Sequence, residues 1–202
     1  MMLSEPSTVV TDLIVSVVCL YSYLRLRAGW HSSPRAAHQR FLLSFFALMG
    51  LSTFFGAFLS HGLSHVLSSV YWKFPSWLLN IAAISCFGLY ALFRRPLKAQ
   101  KALTATLLAE SLAILAWTLA IRTFLPAEVH IGLVLLLIVL PLQLPRMGQR
   151  ESRFICSGIL LLLPLPIVLI RQWSPVPWLN ANDVSHLMIA LAVYLIYAAQ
   201  EK

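Results

Sequence analysis

The feature that most constrains this chain is a series of long apolar segments separated by short polar breaks. A helix needs about 20 mainly apolar residues to cross the hydrocarbon core of a bilayer. Seven segments reach or approach that length, and prolines or basic residues mark the breaks between them. They cover roughly residues 8–24, 41–65, 75–93, 102–123, 127–144, 154–171 and 182–199. The sequence therefore predicts an all-α polytopic membrane protein, a single domain over residues 1–202 with seven transmembrane helices.

Composition and charge placement exclude a soluble domain and a nucleic-acid partner. Hydrophobic residues make up 59% of the chain and charged residues 11%, whereas soluble domains carry about 25% charged residues. The net charge is +8, but the basic residues lie in short clusters between apolar segments, as in the loops of membrane proteins. The cysteines, Cys19, Cys86 and Cys156, lie singly in different segments. This pattern predicts buried apolar side chains rather than disulfides or a thiolate metal site.

The distribution of basic residues predicts the orientation of the chain in the membrane. Of the 15 lysines and arginines, 12 lie in three alternate breaks and at the C-terminus. These are Arg25, Arg27, Arg35 and Arg40, then Arg94, Arg95, Lys98 and Lys101, then Arg146, Arg150 and Arg153, and finally Lys202. Because cytoplasmic loops are enriched in Lys and Arg, we expect the N-terminus outside and the C-terminus in the cytoplasm. For so small a chain we expect a bacterial inner (plasma) membrane.

This orientation brings four histidines to the outer ends of their segments. His61 and His65 close the second segment in "LSHGLSH", His130 opens the fifth, and His186 opens the seventh. Carboxylates lie at the same level, among them Asp183. Ionisable groups at membrane depth usually pair together or mark a functional path. Imidazole and carboxylate are also typical ligands of zinc, so the sequence predicts a metal site near the outer face.

Residue spacing selects the candidate ligands of that site. His61 and His65 are four residues apart, so on a helix they would share one face, as the histidines of HExxH helices do. His186 follows Asp183 by three residues. The predicted metal ligands are therefore His61, His65, His186 and Asp183, with Asp183 acting either as a ligand or as the base that activates water. Ser60 is the candidate that stabilises negative charge on a substrate carbonyl. The alternative is that these histidines lie hydrated among lipid headgroups without a role.

Three further polar residues each have two interpretations. Asp12 either caps the first helix, where the helix dipole favours a carboxylate, or reaches the histidines. Glu110 lies in the middle of the fourth segment, where an unpaired carboxylate is costly. It either makes a structural hydrogen bond to a neighbour such as Asn80 or relays protons. His130 either lies in the headgroup region or pairs with Glu128.

The layout of the chain resembles the CREST superfamily, which includes the alkaline ceramidases and the adiponectin and progestin receptor family. In that family a Ser and a His on the second helix, an Asp on the third and an HxxxH on the seventh hold zinc. Ser60 or Ser64, with His61 or His65, matches the second-helix part. His186, in "SHLMIALAVYLIY", matches one histidine of the seventh-helix pair.

Two departures from the family pattern are visible in the sequence. Asn182 and Ala190 stand four residues on either side of His186, so the seventh segment has one histidine instead of two. The third segment offers Asn80 where the family has an aspartate. A zinc site in this chain would therefore have a rearranged set of ligands.

The resemblance implies a zinc-dependent membrane hydrolase that cleaves an amide or ester bond in a membrane lipid near the outer face. Two other classes stay open at this point. The polar layer could bind a ligand or an ion without catalysis, or the chain could be a structural or accessory membrane protein. Few polar residues lie between Glu110 and the cytoplasmic end of its segment, which argues against a continuous pore.

The orientation gives a first prediction, measured with reporters fused after Lys202 in a bacterial host. We expect a fluorescent protein to fluoresce there and alkaline phosphatase to be inactive, because phosphatase needs disulfides that form only outside the cytoplasm. The same reporters at the N-terminus should behave in the opposite way. An active phosphatase at the C-terminus would contradict the orientation.

Overall fold

The helices follow the apolar segments closely in a computed structural model, which describes residues 5–29, 36–67, 69–94 and 97–201. In these ranges the regular secondary structure is helical, without strands. Seven helical spans are long and apolar enough to cross a membrane: Pro6–Gly29, Ala37–Gly62, Val70–Phe93, Gln100–Ile121, Leu125–Arg146, Arg150–Ile170 and Ala181–Ala198. The predicted all-α fold with seven transmembrane helices is confirmed, and the chain is a multi-pass membrane protein. Its orientation stays a prediction, and Arg35, Arg95 and Lys202, which contribute to it, lie outside the described residues.

Four spans are built from more than one helical segment. The second consists of α-helix Ala37–Phe55 and π-helix Gly56–Gly62; the third of 3-10 turn Val70–Lys73 and α-helix Phe74–Phe93. The fifth consists of α-helix Leu125–Leu133, π-helix Val134–Val139, α-helix Leu140–Gln143 and 3-10 turn Leu144–Arg146; the sixth of α-helices Arg150–Leu162 and Leu165–Ile170. Pro141, Pro164 and Pro166 stand at these junctions. Proline lacks the N–H that the regular helix bonds to the preceding turn, so the helix changes geometry there.

The second span ends three residues earlier than the sequence predicts. Its last helical residue is Gly62, and Leu63 leaves the helical conformation with φ −109° and ψ 14°. The Leu63 N–H closes the last π turn on the Phe58 carbonyl at 2.8 Å. His65 therefore lies in the turn beyond the helix. The expectation that His61 and His65 share a helix face is wrong, because glycine weakens the helix where that face would have continued.

The core of the bundle is formed around the second and third spans. Phe45, Phe46 and Phe87 are fully buried, with the Phe45 and Phe87 ring centroids 4.9 Å apart. In its most apolar stretch the third span is 67% buried, whereas the fourth is only 17% buried. The fourth span packs against the third and fifth. It therefore lies at the edge of the bundle, with most of its surface facing the bilayer.

A polar cluster joins three spans at the end of the bundle that carries most of the basic residues. The Arg94 guanidinium forms an ion pair with Glu151. The Tyr90 hydroxyl donates to Glu151 at 2.8 Å and accepts from Gln200 Nε2 at 3.0 Å. These contacts connect the end of the third span, the start of the sixth and the segment that follows the seventh.

The sixth and seventh spans approach each other closely at Gly158. A Cβ atom on Gly158 would lie 3.1 Å from the Ala192 carbonyl oxygen, which is backbone and cannot rotate away. Small residues at such points let helix backbones pack closely in membranes. Because Gly158 has no side chain, the backbones of these two spans can lie this close together.

We predict that Gly158→Ala destabilises the bundle by about 1–3 kcal/mol, the usual cost of forcing extra volume into a packed interface. Thermal unfolding of the detergent-solubilised protein measures this. Gly132→Ala is the matched control, because nothing lies within 4 Å of the Cβ it would add and alanine is the better helix former. An equal loss of Tm in both variants would contradict the close-contact explanation.

Candidate metal centre

Three ionisable side chains from three spans converge at one end of the bundle. They are Asp12 of the first span, His61 of the second and His186 of the seventh, and one ligand atom from each lies within 4.8 Å of the other two. The His186 Nε2 atom is 3.5 Å from Asp12 Oδ1, and the His61 Nε2 atom is 3.9 Å from Asp12 Oδ2. Asp12 is 5% exposed, and the His186 and His61 side chains are 16% and 23% exposed. This group is the strongest candidate for a metal centre in the described part of the chain.

The positions of these residues along their helices bring them to a similar depth. Asp12 lies six residues after the start of its helix, and His186 lies five residues after the start of its own. These offsets correspond to roughly 8–9 Å at 1.5 Å per residue. His61 lies beside the end of the second span, but side chains lean toward the N-terminus of their helix. The His61 ring is thereby directed back into the bundle, toward Asp12.

Gly56 gives the Asp12 carboxylate the space it occupies. A Cβ atom on Gly56 would lie 3.3 Å from Asp12 Oδ2. The π-helical segment that carries His61 begins at this same glycine. Single π turns inserted in α-helices are frequent at functional sites. The irregular end of the second span therefore contributes both the space for the carboxylate and one of the imidazoles.

The outer nitrogen of each imidazole is held by a hydrogen-bond partner that fixes the tautomer of the neutral ring. His61 Nδ1 lies 2.8 Å from Glu5 Oε2, and a carboxylate oxygen accepts, so this nitrogen carries the proton. His186 Nδ1 lies 3.3 Å from Thr11 Oγ1. The Thr11 hydroxyl already donates to the Thr8 carbonyl at 3.1 Å, so it accepts from His186. With one proton on each ring, the hydrogen-bond network assigns both Nε2 atoms as bare lone pairs that face Asp12.

This arrangement leaves a space suited to a cation. Two nitrogen lone pairs and an ionised carboxylate repel each other, and either a cation between them or a proton on Asp12 relieves that repulsion. A tetrahedral zinc ion, with ligands at about 2.0–2.2 Å, holds its ligand atoms about 3.3–3.5 Å apart. His186 Nε2 lies 3.5 Å from one Asp12 oxygen and His61 Nε2 lies 3.9 Å from the other, which is close to that spacing. Three protein ligands would also leave the fourth position open, as in catalytic zinc sites.

Asp183 lies beside this group in a different role. Its Oδ2 accepts from the Asn180 N–H at 2.8 Å, while the Asn180 side chain accepts from the Asp183 N–H at 3.0 Å. This capping box begins the seventh span. Asp183 Oδ1 accepts from the Thr8 hydroxyl at 2.8 Å. Oδ2 is therefore occupied in capping the seventh span and Oδ1 in joining it to the first, and the structure does not bring Asp183 into the ligand group.

Two other predicted site residues, His65 and Ser60, lie outside the ligand group. His65 is exposed in the turn after the second span and is not part of the ligand group. Ser60, next to His61, has a hydroxyl oxygen that is shielded from solvent and has no hydrogen-bond partner among the described residues. Of the predicted ligands the structure brings together His61 and His186. It adds Asp12, so the second of its two interpretations holds.

A second group of ionisable residues lies deeper, between the third, fourth and fifth spans. His130 is fully buried, and its Nδ1 lies 2.8 and 2.9 Å from the two carboxylate oxygens of Glu110. Its Nε2 lies 3.1 Å from Ser85 Oγ and 3.2 Å from the Ile81 carbonyl oxygen. Neither expected partner is the one found, since Asn80 contacts Met49 and His130 pairs with Glu110 rather than Glu128.

Glu110, His130 and Ser85 are connected in the order of an acid–His–Ser catalytic triad. Their protons, however, are not placed as nucleophilic catalysis by the serine would require. A carbonyl oxygen can only accept, so the contact with Ile81 assigns a proton to His130 Nε2. The Ser85 hydroxyl also donates to the Ile81 carbonyl, at 2.8 Å. The ring nitrogen that would have to accept the serine proton is thus already protonated. Glu110, His130 and Ser85 therefore form a closed polar network that joins three helices.

Fold and site define the class: a seven-span membrane protein with a polar, metal-suited centre at one end of the bundle. The chain belongs to DUF6962, a family of unknown function, whose model matches residues 7–202. No curated protein and no solved structure matches the chain. The family assignment therefore names no activity, and the chemistry has to be inferred from the residues themselves.

The Glu110–His130 pair gives a stability prediction. We expect Glu110→Leu or His130→Leu alone to cost about 3–5 kcal/mol, because each leaves one polar partner buried and unpaired. The double variant should be clearly more stable than the sum of the two losses, because neither partner is left alone. Unfolding of the four proteins in detergent forms the required double-mutant cycle. Additive losses would show that the two residues do not act as a pair.

Proposed function

We propose that this protein is a metal-dependent membrane hydrolase that binds zinc through Asp12, His61 and His186. Its substrate is a lipid whose amide or ester bond lies near the outer membrane face. One observation carries most of the proposal: two imidazole nitrogens with free lone pairs and a buried carboxylate face each other at 3.5 and 3.9 Å. A metal ion placed between them would satisfy all three groups at once.

The donor set fits zinc in type and number. It consists of two imidazole nitrogens and one carboxylate oxygen, and three protein ligands with one open position are typical of catalytic zinc. Bound there, zinc lowers the pKa of water to about 7 and polarises a carbonyl group. Iron(II) also binds two histidines and a carboxylate. The metal content of the purified protein therefore has to be measured to identify the ion.

Residues around the ligands have supporting roles in this proposal. Glu5 and Thr11 hold the two rings with Nε2 directed inward, and partners of this kind typically change metal affinity 10- to 100-fold. Glu5 has a side chain that is 44% exposed, so it connects His61 to the water outside. The unpartnered hydroxyl of Ser60 is available to donate to the carbonyl oxygen of a substrate.

The proposed substrate class follows from depth and from the CREST resemblance. Asp12 and His186 lie roughly one and a half turns below the start of their spans, near the level at which amide and ester bonds of lipids meet the headgroups. In this proposal Asp12, from the first helix, takes the place of the second seventh-helix histidine of that superfamily. The rearranged set keeps three protein ligands.

The test combines metal content with lipid hydrolysis on the same purified protein. We expect about one zinc per chain by mass spectrometry of the metal, and fatty acid released from an N-acyl or O-acyl lipid. Asp12→Ala, His61→Ala and His186→Ala should each lose both. Gly56→Ala should lower zinc affinity about tenfold or more without unfolding the protein, because its Cβ displaces the Asp12 carboxylate.

His65→Ala is the matched control, since it removes a neighbouring imidazole outside the ligand group and should retain the metal. Loss of zinc in His65→Ala would instead support the ligand set predicted from sequence spacing. A wild-type protein that holds no metal after growth with added zinc would overturn the proposal. Zinc without fatty-acid release would favour the alternative of a non-enzymatic, ion-binding membrane protein.

A further inference from the structure

We propose that this protein binds an anionic phospholipid in a groove at the opposite end of the bundle from the metal centre. The groove lies between the end of the third span and the start of the fourth. Its volume is about 480 Å³, and it is lined by Phe93, Gln100, Lys101, Thr104, Ala105 and Leu108. This inference does not depend on the proposed hydrolase activity.

Charge at the top of the groove favours a negative headgroup. Lys101 lines the groove, and Lys98 lies three residues before it in the connection between the two spans. Both are exposed, and neither forms an ion pair with the acidic residues in the described part of the chain. Arg94, nearby in sequence, is already neutralised by Glu151. The fourth helix begins at Gln100 with no acidic residue in its first turn and no side-chain cap on its free N–H groups. Its helix dipole therefore also favours an anion there.

Below the lysines the groove becomes apolar and runs toward the middle of the membrane. From Lys101 to Leu108 the helix rises about 10 Å, past Ala105 and alongside Phe93. The small side chain at position 105 leaves room for a lipid chain between its bulkier neighbours. A molecule that fits this groove therefore has a charged end at the membrane surface and a hydrocarbon tail.

One polar atom lies within this otherwise apolar wall. Thr104 Oγ1 is shielded from solvent and has no hydrogen-bond partner among the described residues. A hydroxyl left without a partner in an apolar setting costs free energy. Thr104 stands almost one turn below Lys101, where an ester or phosphate oxygen of a bound phospholipid would accept its hydrogen bond.

The location selects a bilayer lipid over other occupants. The fourth span is the least buried of the seven, so the groove faces lipid rather than the bundle interior. Each lysine near an anionic membrane surface contributes about 1 kcal/mol to lipid attraction, roughly a fivefold change in binding. The two lysines together would give a preference on the order of 25-fold over a zwitterionic lipid of the same chain length.

Native mass spectrometry of the protein, extracted from vesicles of equal phosphatidylglycerol and phosphatidylcholine content, measures this preference. We expect selective retention of phosphatidylglycerol by the wild type. Lys98→Gln with Lys101→Gln should abolish the selectivity, and Thr104→Val should weaken retention at unchanged charge. Lys73→Gln, which removes a basic residue at the other end of the bundle, is the matched control and should retain it.

Two results would overturn the proposal. One is equal retention of both lipids by the wild type. The other is unchanged selectivity in the double lysine variant whose Tm equals that of Lys73→Gln. Because the lysines are exposed, their removal should leave folding intact, and the Tm comparison confirms that. Zinc content of the same samples is independent of the outcome, so failure here does not bear on the hydrolase proposal.

Discussion

The cost of an unpaired ionisable group in hydrocarbon is the constraint on which this bundle depends. Asp12 meets His61 and His186, and Glu110 meets His130, each across a helix boundary. Asp183 is satisfied by the start of its own helix and by Thr8 of the first span. Lipid offers helices little hydrophobic reason to associate. These polar contacts therefore help to determine which spans become neighbours, while glycine contacts such as that at position 158 set their distance.

Hydropathy predicted the spans well, because bilayer thickness fixes the length of any helix that crosses it. It also placed His61 and His186 at one end of the bundle, since depth follows from position along a span. Partner choice could not be predicted, because it depends on how each helix is rotated about its axis. The pairing of Glu110 with His130 is an example. The position of His65 depends on where the second span ends, which is at Gly62. The apolar pattern continues past that glycine, so hydropathy alone does not reveal the end of the helix.

The two histidine–carboxylate groups differ in what faces the imidazole nitrogens, and this difference is why a metal is proposed for one group and a structural role for the other. At His130 both ring nitrogens face acceptors within the protein, the Glu110 carboxylate at Nδ1 and the Ile81 carbonyl at Nε2. Every polar atom of that ring is then satisfied from within the protein. At His61 and His186, partners on the outer side take the Nδ1 protons. The inward nitrogens are left with lone pairs that face Asp12, and the metal ion proposed above would satisfy all three groups.

The two ends of the bundle differ in how their charged side chains are compensated. At the basic end the acidic residues are used internally: Glu151 pairs with Arg94, and the carboxylate of Glu201 accepts from Tyr197. The remaining lysines are left to attract anions. At the other end, none of the ion pairs in the described ranges joins Glu5 or Asp12 to a lysine or arginine. An ionised Asp12 beside neutral imidazoles would carry uncompensated negative charge in a low-dielectric setting, where such charge is costly. In the hydrolase proposal, a bound metal ion would supply the compensating positive charge.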